Sequence, residues 1–241
     1  MSYGKLAELY DRIFSDEGFY RSYGRMIRRI SDRFGVRPLR TLDVACGTGR
    51  LAKYLPGRLV EGVDASPSMR RIALKRLEVH AGDLFRLPSS AFDLVTCTFD
   101  SLNHLSRRGL RRAFRAVRKA LSPGGLYCFD LNSDFKINQV CPSYLGRRFR
   151  VGACEVFWLS RTSPGRWTST ITIFERGAGG TWRRTEETIV ETAFSLAEVR
   201  QALRAAGLRL LGGWGDMHFG PIGPTSERWF FAARRDDGSR D

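Results

Sequence analysis

The run Thr41-Leu-Asp43-Val-Ala45-Cys46-Gly47-Thr48-Gly49-Arg50 holds a carboxylate and two glycines at the junction between an apolar segment and a stretch of helical character. Glycines at such a turn let backbone approach a ligand closely, and N–H groups at a helix start favour a negative group. Asp64 follows at the end of the next apolar run, where a carboxylate can accept two hydrogen bonds from vicinal ribose hydroxyls. Asp83 comes after a third such run. Extended to Ala52, the glycine turn also reads G-x-G-x-x-A, the dinucleotide fingerprint. On these residues alone a nucleotide cofactor, a nicotinamide enzyme and an empty tight turn all remain open.

The elements that must position these groups follow from periodicity. Residues 5–34 carry apolar positions at helical spacing, with Met26, Ile27, Ile30 and Phe34 in one stripe that Pro38 ends. Strands are predicted over 41–46, 59–63, 77–81, 92–98 and 126–131, with a helix after the glycine turn to Leu55, one opened by Ser66-Pro67, and one over 110–121. That alternation means βαβ units and a mainly parallel sheet, with Asp43, Asp64 and Asp83 at one edge, the carboxyl ends of strands. Between 147 and 194 the pattern changes to three strands, 154–161, 167–176 and 182–193, joined by glycine turns as an antiparallel meander. A capping box at Ser195-Leu-Ala-Glu198 opens a last helix ending at Gly207, before closing strands at 208–214 and 228–233. The expected division is a helical cap (1–37), a Rossmann-like domain (38–146 and 195–235) with an antiparallel C-terminal strand, an inserted meander (147–194) serving as lid or dimer contact, and a tail (236–241).

Composition narrows the classes. The 241 residues hold 40 Lys plus Arg against 25 Asp plus Glu, a net charge of +15, and only five of the basic residues are Lys. A hydrophobic share of 42% supplies a core, so disorder of the whole chain is excluded. No apolar run approaches the roughly 20 residues of a membrane span, and residues 1–11 lack the pattern of a signal peptide, so a cytoplasmic protein without a membrane partner is expected. Five Cys without a C-x-x-C pair and three His fit neither a disulfide framework nor a metal cluster, so no metal is expected. The basic excess admits nucleic acid but is scattered through nearly every segment, as a solvated surface would be.

Thr41 to Arg50 resembles motif I of the class I S-adenosylmethionine-dependent methyltransferases, D-x-x-x-G-x-G. The resemblance continues in the family's order through Gly62-Val-Asp64-Ala-Ser, Gly82-Asp83-Leu84, Phe92-Asp-Leu-Val95 and Leu121-Ser-Pro-Gly-Gly125, covering roughly residues 40–135. It implies S-adenosylmethionine as cofactor. Ala45, Cys46, Gly47, Thr48 and Gly49 would form the turn beside its methionine and ribose, and Asp43 would reach the amino group. Asp64 would take the ribose hydroxyls, Gly82, Asp83 and Leu84 the adenine edge, and Ala65 and Met69 its faces. Thr98 and Phe99 would border the sulfonium.

Leu9-Tyr10-Asp-Arg-Ile-Phe14 and Gly18-Phe-Tyr20 resemble the leading helices of small-molecule and aminosugar N-methyltransferases, whose tyrosines matching Tyr10 and Tyr20 approach the cofactor. Both also read as core aromatics. After the fourth strand, where this fold places substrate contacts, stand Asn103 and His104, and after the fifth stands Asn132. His104, titrating near neutrality, is the candidate base for an amine acceptor, with Tyr10 beside it as a second catalytic candidate; a structural histidine is the alternative. No Asn-Pro-Pro-Tyr run follows the fourth strand, which weighs against nucleic-acid amino methylation. The resulting expectation is methyl transfer to a small acceptor, nitrogen favoured, by a chain that could form a homodimer. RNA methylation and a non-catalytic cofactor-binding scaffold are the competing readings.

Overall fold

The computed structural model describes residues 4–89, 92–144 and 146–236. The end of the expected tail, 237–241, lies outside them, as do residues 1–3 of the expected cap. Seven strands form the central sheet: β1 (Arg40–Val44), β2 (Leu59–Asp64), β3 (Glu78–Ala81), β4 (Phe92–Cys97), β5 (Leu121–Asn132), β10 (Leu208–Trp214) and β11 (Arg228–Arg235). Their order is β10-β11-β5-β4-β1-β2-β3, parallel throughout except for β11, which runs antiparallel to both neighbours. This is the mainly parallel α/β sheet that the periodicity predicts.

Helices cover both faces. On one side α4 (Arg107–Ala120) and α5 (Leu196–Ala205) bury Leu110, Phe114, Val117, Val199 and Leu203 against Val95, Phe129 and Phe231. On the other, α2 (Glu17–Arg33) lays Tyr23, Met26, Ile27 and Ile30 over Leu94, Leu126 and Phe230. The N-cap expected at Ser66 and the capping box expected at Ser195 are formed: Ser66 Oγ accepts the Met69 N–H of α3 (Pro67–Ala73), and Ser195 and Glu198 bond reciprocally.

Four departures from the predicted elements have physical causes. The N-terminal stripe is two helices, α1 (Gly4–Ile13) and α2, because Asp16 Oδ1 accepts the Gly18 and Phe19 N–H groups and so starts a new helix. The helix expected to run on to Leu55 is a single 3-10 turn, Ala52–Tyr54. Helix α2 fills that space, with Gly24 so close to Tyr54 that a Cβ would lie 2.4 Å from the tyrosine Cβ. The insertion has four strands: β6 (Gly146–Val151) precedes β7 (Cys154–Ser163), β8 (Arg166–Arg176) and β9 (Trp182–Thr192). Its Arg-rich sequence hid it, since an exposed edge strand needs no apolar alternation. The closing strand, expected to end at residue 233, runs on to Arg235, whose guanidinium donates to the Leu121 carbonyl.

Helix α1 belongs to the inserted sheet. Leu6 and Leu9 pack on Cys154, Val156, Ile171 and Ile173, and the Leu6 N–H donates to Glu187 Oε1 at 3.1 Å. Its C-terminal end is lashed to the glycine turn. Thr48 Oγ1 donates to Asp11 Oδ1 (2.6 Å), and Arg50 donates to the carbonyls of Asp11, Phe14 and Ser15, which the helix end leaves without N–H partners. The insertion is thereby bridged to the carboxyl edge of the central sheet.

Candidate active site

Strand register sets the site. Val44 pairs with Val63 and Asp64 with Ala81, so the carboxyl ends of β1, β2 and β3 finish together and their following turns face one cavity of about 260 Å³. Tyr10, Tyr20, Asp43, Ala45, Cys46, Gly47, Thr48, Asp64, Ala65, Met69, Asp83, Leu84, Thr98 and Phe99 all line it. Gly47, at φ +56°, has open space where a Cβ would stand, the cradle expected beneath a ligand.

Two expected contacts stand behind the lining. Gly49 (φ +78°) is glycine because a Cβ would lie 2.4 Å from Leu77 Cδ2, and Gly82 because one would lie 2.5 Å from the Arg86 carbonyl oxygen. They shape the turns and do not line the cavity. Sequence reasoning missed Arg50, Leu51, Val63, Ser66, Phe85, Ser101 and Leu105, which do.

The acidic groups are held with different purposes. Asp43 is 2% exposed, bonded through Oδ1 to Thr96 Oγ1 (2.7 Å) across the paired strands. Burial pushes its carboxyl up to about 7 against the pull of the Thr96 bond, and no cation faces it among the described residues. Asp64 accepts the Gly47 N–H on Oδ2 and the Ser66 N–H on Oδ1, both at 2.8 Å. These bonds fix its carboxylate between the glycine turn and the start of α3, while burial raises its pKa. Asp83 accepts the Phe85 N–H at 2.8 Å.

A second cavity of about 510 Å³ adjoins the first. Tyr10, Tyr20, Phe99 and His104 line both and form the partition. The outer chamber has aromatic walls (Phe14, Phe19, Trp158) and a polar floor of Asp100, Asn132, Lys136, Glu191 and Arg228. His104 Nδ1 lies 3.1 Å from the Val190 carbonyl, which can only accept, so Nδ1 carries a proton and, in the neutral ring, Nε2 holds the lone pair. Phe99 and Asp100 both sit in left-handed backbone (φ +58° and +54°), a conformation non-glycine residues avoid. Asp100 is clamped by Arg228 Nη2 at 2.7 Å, and the same guanidinium binds Asp130 through Nη1.

Asn103 does not contact substrate space. It is fully buried, its amide donates to the Asn132 and Thr192 carbonyls at 3.0 Å, and its oxygen accepts the Asn132 N–H. Satisfied on every side, it ties the inserted sheet to β5. Asn132 does reach the outer chamber, where it donates to Glu191 Oε2 and accepts from Lys136 Nζ. Nor are the arginines all outside the site, as their scatter through the sequence suggests, since Arg50 and Arg228 are built into its walls. A cluster with metal-ligand character, Glu61, Glu78 and His80, lies on β2 and β3, where Glu61 is already bound by Arg40 and His80.

A family model described as a methyltransferase domain matches residues 41–125, which hold β1 to the start of β5. A protein of Geobacillus sp. (strain WCH70) with a provisional methyltransferase name is 29% identical, over 98% of this chain and all of its own length. The dTDP-3-amino-3,6-dideoxy-α-D-glucopyranose N,N-dimethyltransferase of Streptomyces fradiae is 28% identical, over 94% of this chain and 90% of that one. Among solved structures, an S-adenosylmethionine-dependent methyltransferase from Clostridium acetobutylicum superimposes with a TM-score of 0.82 at 24% identity, covering 97% of this chain and 99% of that one.

Proposed function

We infer that this chain, which belongs to the S-adenosylmethionine-dependent methyltransferases, methylates a nitrogen of a small molecule held in the outer chamber. The observation that carries this reading is the partition of Tyr10, Tyr20, Phe99 and His104, across which the two chambers meet. S-adenosylmethionine supplies a methyl group activated by a positive sulfonium. The remaining work belongs to the protein: aligning the acceptor lone pair, excluding water and removing a proton.

The inner cavity suits the cofactor by its donor set. Asp43, buried without a cation, fits the amino group, and the tethered Asp64 has lone pairs left for the ribose hydroxyls. Asp83 and Leu84 suit the adenine edge, between Ala65 and Met69. Thr98 and Phe99 border the chamber junction, and Tyr10 and Tyr20 close it from the N-terminal helices. His104, on the partition between the chambers, offers the Nε2 of its neutral ring as a hydrogen-bond acceptor beside the methyl acceptor. The acceptor chamber is an aromatic-walled cavity of about 510 Å³, a size that favours a small molecule over a polynucleotide.

Labelled S-adenosylmethionine incubated with the protein and a cell extract, then split into RNA, protein and metabolite fractions, tests the acceptor class. Label is expected in metabolites. Label confined to RNA overturns the reading.

Asp43 adds a pH dependence with a defined sign. A bound cationic amino group favours the ionised carboxylate, so the pKa in the complex lies below the free value of about 7. Affinity for S-adenosylhomocysteine, which keeps that amino group, is therefore full above pH 7 and falls by about tenfold per unit below it. Calorimetric titrations between pH 8 and 5.5 should show this fall, and Asp43→Asn should flatten it. A wild-type affinity constant over the range rejects the Asp43 role.

A further inference from the structure

We propose that Glu191 and Trp167, side by side on the floor of the outer chamber, select the methyl acceptor: Glu191 holds its amine and takes the proton, and the Trp167 indole N–H requires an oxygen next to that amine. The proposal rests on the chamber assignment above and adds to it the chemical class of acceptor, a vicinal amino alcohol.

The two residues are register partners, Trp167 on β8 opposite Glu191 on β9, so their side chains leave the sheet on the same face. Both line the outer chamber. Glu191 is 5% exposed; its Oε2 accepts the Asn132 amide at 2.7 Å, and Oε1 has no hydrogen-bond partner among the described residues. Trp167 Nε1 is buried and unpartnered. A buried indole donor without an acceptor is costly to leave so, and it marks a place for a ligand oxygen. One free carboxylate oxygen beside one free N–H donor matches an amine beside a hydroxyl.

The surroundings favour a cation at Glu191. The charged and titratable groups that line the chamber with it are Asp100 and His104 from the segment after β4, Lys136 after β5, Arg228 on β11, Asp16 at the start of α2, and Tyr10 and Tyr20, with the Cys141 thiol behind the wall. Arg228 is already matched by Asp100 and Asp130, which leaves Lys136, among the described residues, as the remaining lining cation against both Asp16 and an ionised Glu191. An ionised Glu191 therefore leaves the floor short of positive charge, and the aromatic walls also suit an ammonium. Burial, with the Asp100 charge, pushes the Glu191 carboxyl up to about 8 despite Asn132, Arg228 and Lys136. Such a carboxyl lies far closer to an alkylammonium in proton affinity than an ordinary carboxylate does, which suits it to take the proton.

The step balances. The acceptor ammonium passes one proton to Glu191 Oε1 and regains its nitrogen lone pair. That pair forms the new N–CH3 bond while the carbon–sulfur bond breaks with its electrons going to sulfur. The products are an N-methylammonium and neutral S-adenosylhomocysteine, and the proton on Glu191 passes to solvent.

The test measures binding of trans-2-aminocyclohexanol, cyclohexylamine and cyclohexanol to protein loaded with S-adenosylhomocysteine, by ligand-observed magnetic resonance. Wild type should prefer the amino alcohol over the amine, and the amine over the alcohol. Glu191→Gln should lose at least about tenfold in affinity for both amines and leave cyclohexanol unchanged, since one charge-assisted bond is removed. Trp167→Phe should abolish the preference for the amino alcohol over the plain amine. Equal binding of the three by wild type, or full amine affinity in Glu191→Gln, overturns the proposal. Affinity for S-adenosylhomocysteine, measured on every protein, should stay within about twofold of wild type; its absence from wild type itself refutes the chamber assignment instead.

Discussion

Asp64→Ala is expected to weaken S-adenosylhomocysteine binding by about ten- to a hundredfold, with little change in the melting temperature of the free protein. The carboxylate already accepts two backbone N–H groups, from Gly47 and Ser66, and these bonds aim its remaining lone pairs into the inner cavity. Alanine removes the proposed partner of both ribose hydroxyls and releases the tether on the glycine turn. A hydrogen bond to a charged group contributes about 1.5–3 kcal/mol, and each 1.4 kcal/mol is tenfold in affinity. The folded state loses less, because the two freed N–H groups face a cavity that water enters. Asn at the same position keeps one acceptor oxygen and should fall between alanine and wild type. Calorimetry showing the same dissociation constant for Asp64→Ala and wild type would remove Asp64 from the cofactor site.

What the sequence makes legible is what local spacing controls. Asp43, Gly47, Asp64 and Asp83 announce a ligand edge because each stands directly after an apolar strand, and parallel pairing then brings the strand ends together. The outer chamber obeys no such local rule. Glu191 stands in a strand with Glu186 and Glu187, and nothing local distinguishes it. A period-2 reading does place it in one row with Ile189, and that row was the available signal for an inward-facing carboxylate. That it stays buried depends on Asn132, which is 59 residues away. Asn103 misleads for the opposite reason: its position after the fourth strand suits substrate, yet its amide is consumed by backbone that arrives from β5 and β9. Arg50 reads as the end of the glycine motif, and its work as the cap of α1 follows only once the N-terminal helix is broken at Asp16.

Arg228 joins residues still farther apart, and its removal carries the largest expected loss of stability. Its guanidinium, mostly withdrawn from solvent, is held between Asp100, 128 residues away in sequence, and Asp130, which is 0% exposed. Burial alone would raise the Asp100 carboxyl, but Arg228, helped by His104 and Lys136, holds it below its ordinary range. Burial raises Asp130 even with the guanidinium present. Arg228→Ala leaves two carboxyl groups without their cation, a change that costs about 3–5 kcal/mol, and in a chain of this length each kcal/mol lowers the melting temperature by about 2–4 °C. The sign of the pH dependence follows from the shifts. In wild type, Asp100 contributes stability at neutral pH that is lost as pH falls through its depressed pKa. In the variant both carboxyls are raised in the folded state, so acid favours folding by protonating them. The gap between the two proteins should therefore narrow as pH falls toward the ordinary carboxyl range. The triple variant Arg228→Met, Asp100→Asn, Asp130→Asn should recover much of the stability, because no buried charge remains. It should not recover methyl transfer, since the clamp also holds Phe99 and Asp100 in left-handed backbone at the partition between the chambers. Scanning calorimetry at pH 7.5 and pH 5 separates these effects: an Arg228→Ala protein that melts with wild type at pH 7.5 refutes the clamp, and a triple variant with full turnover refutes its role at the partition.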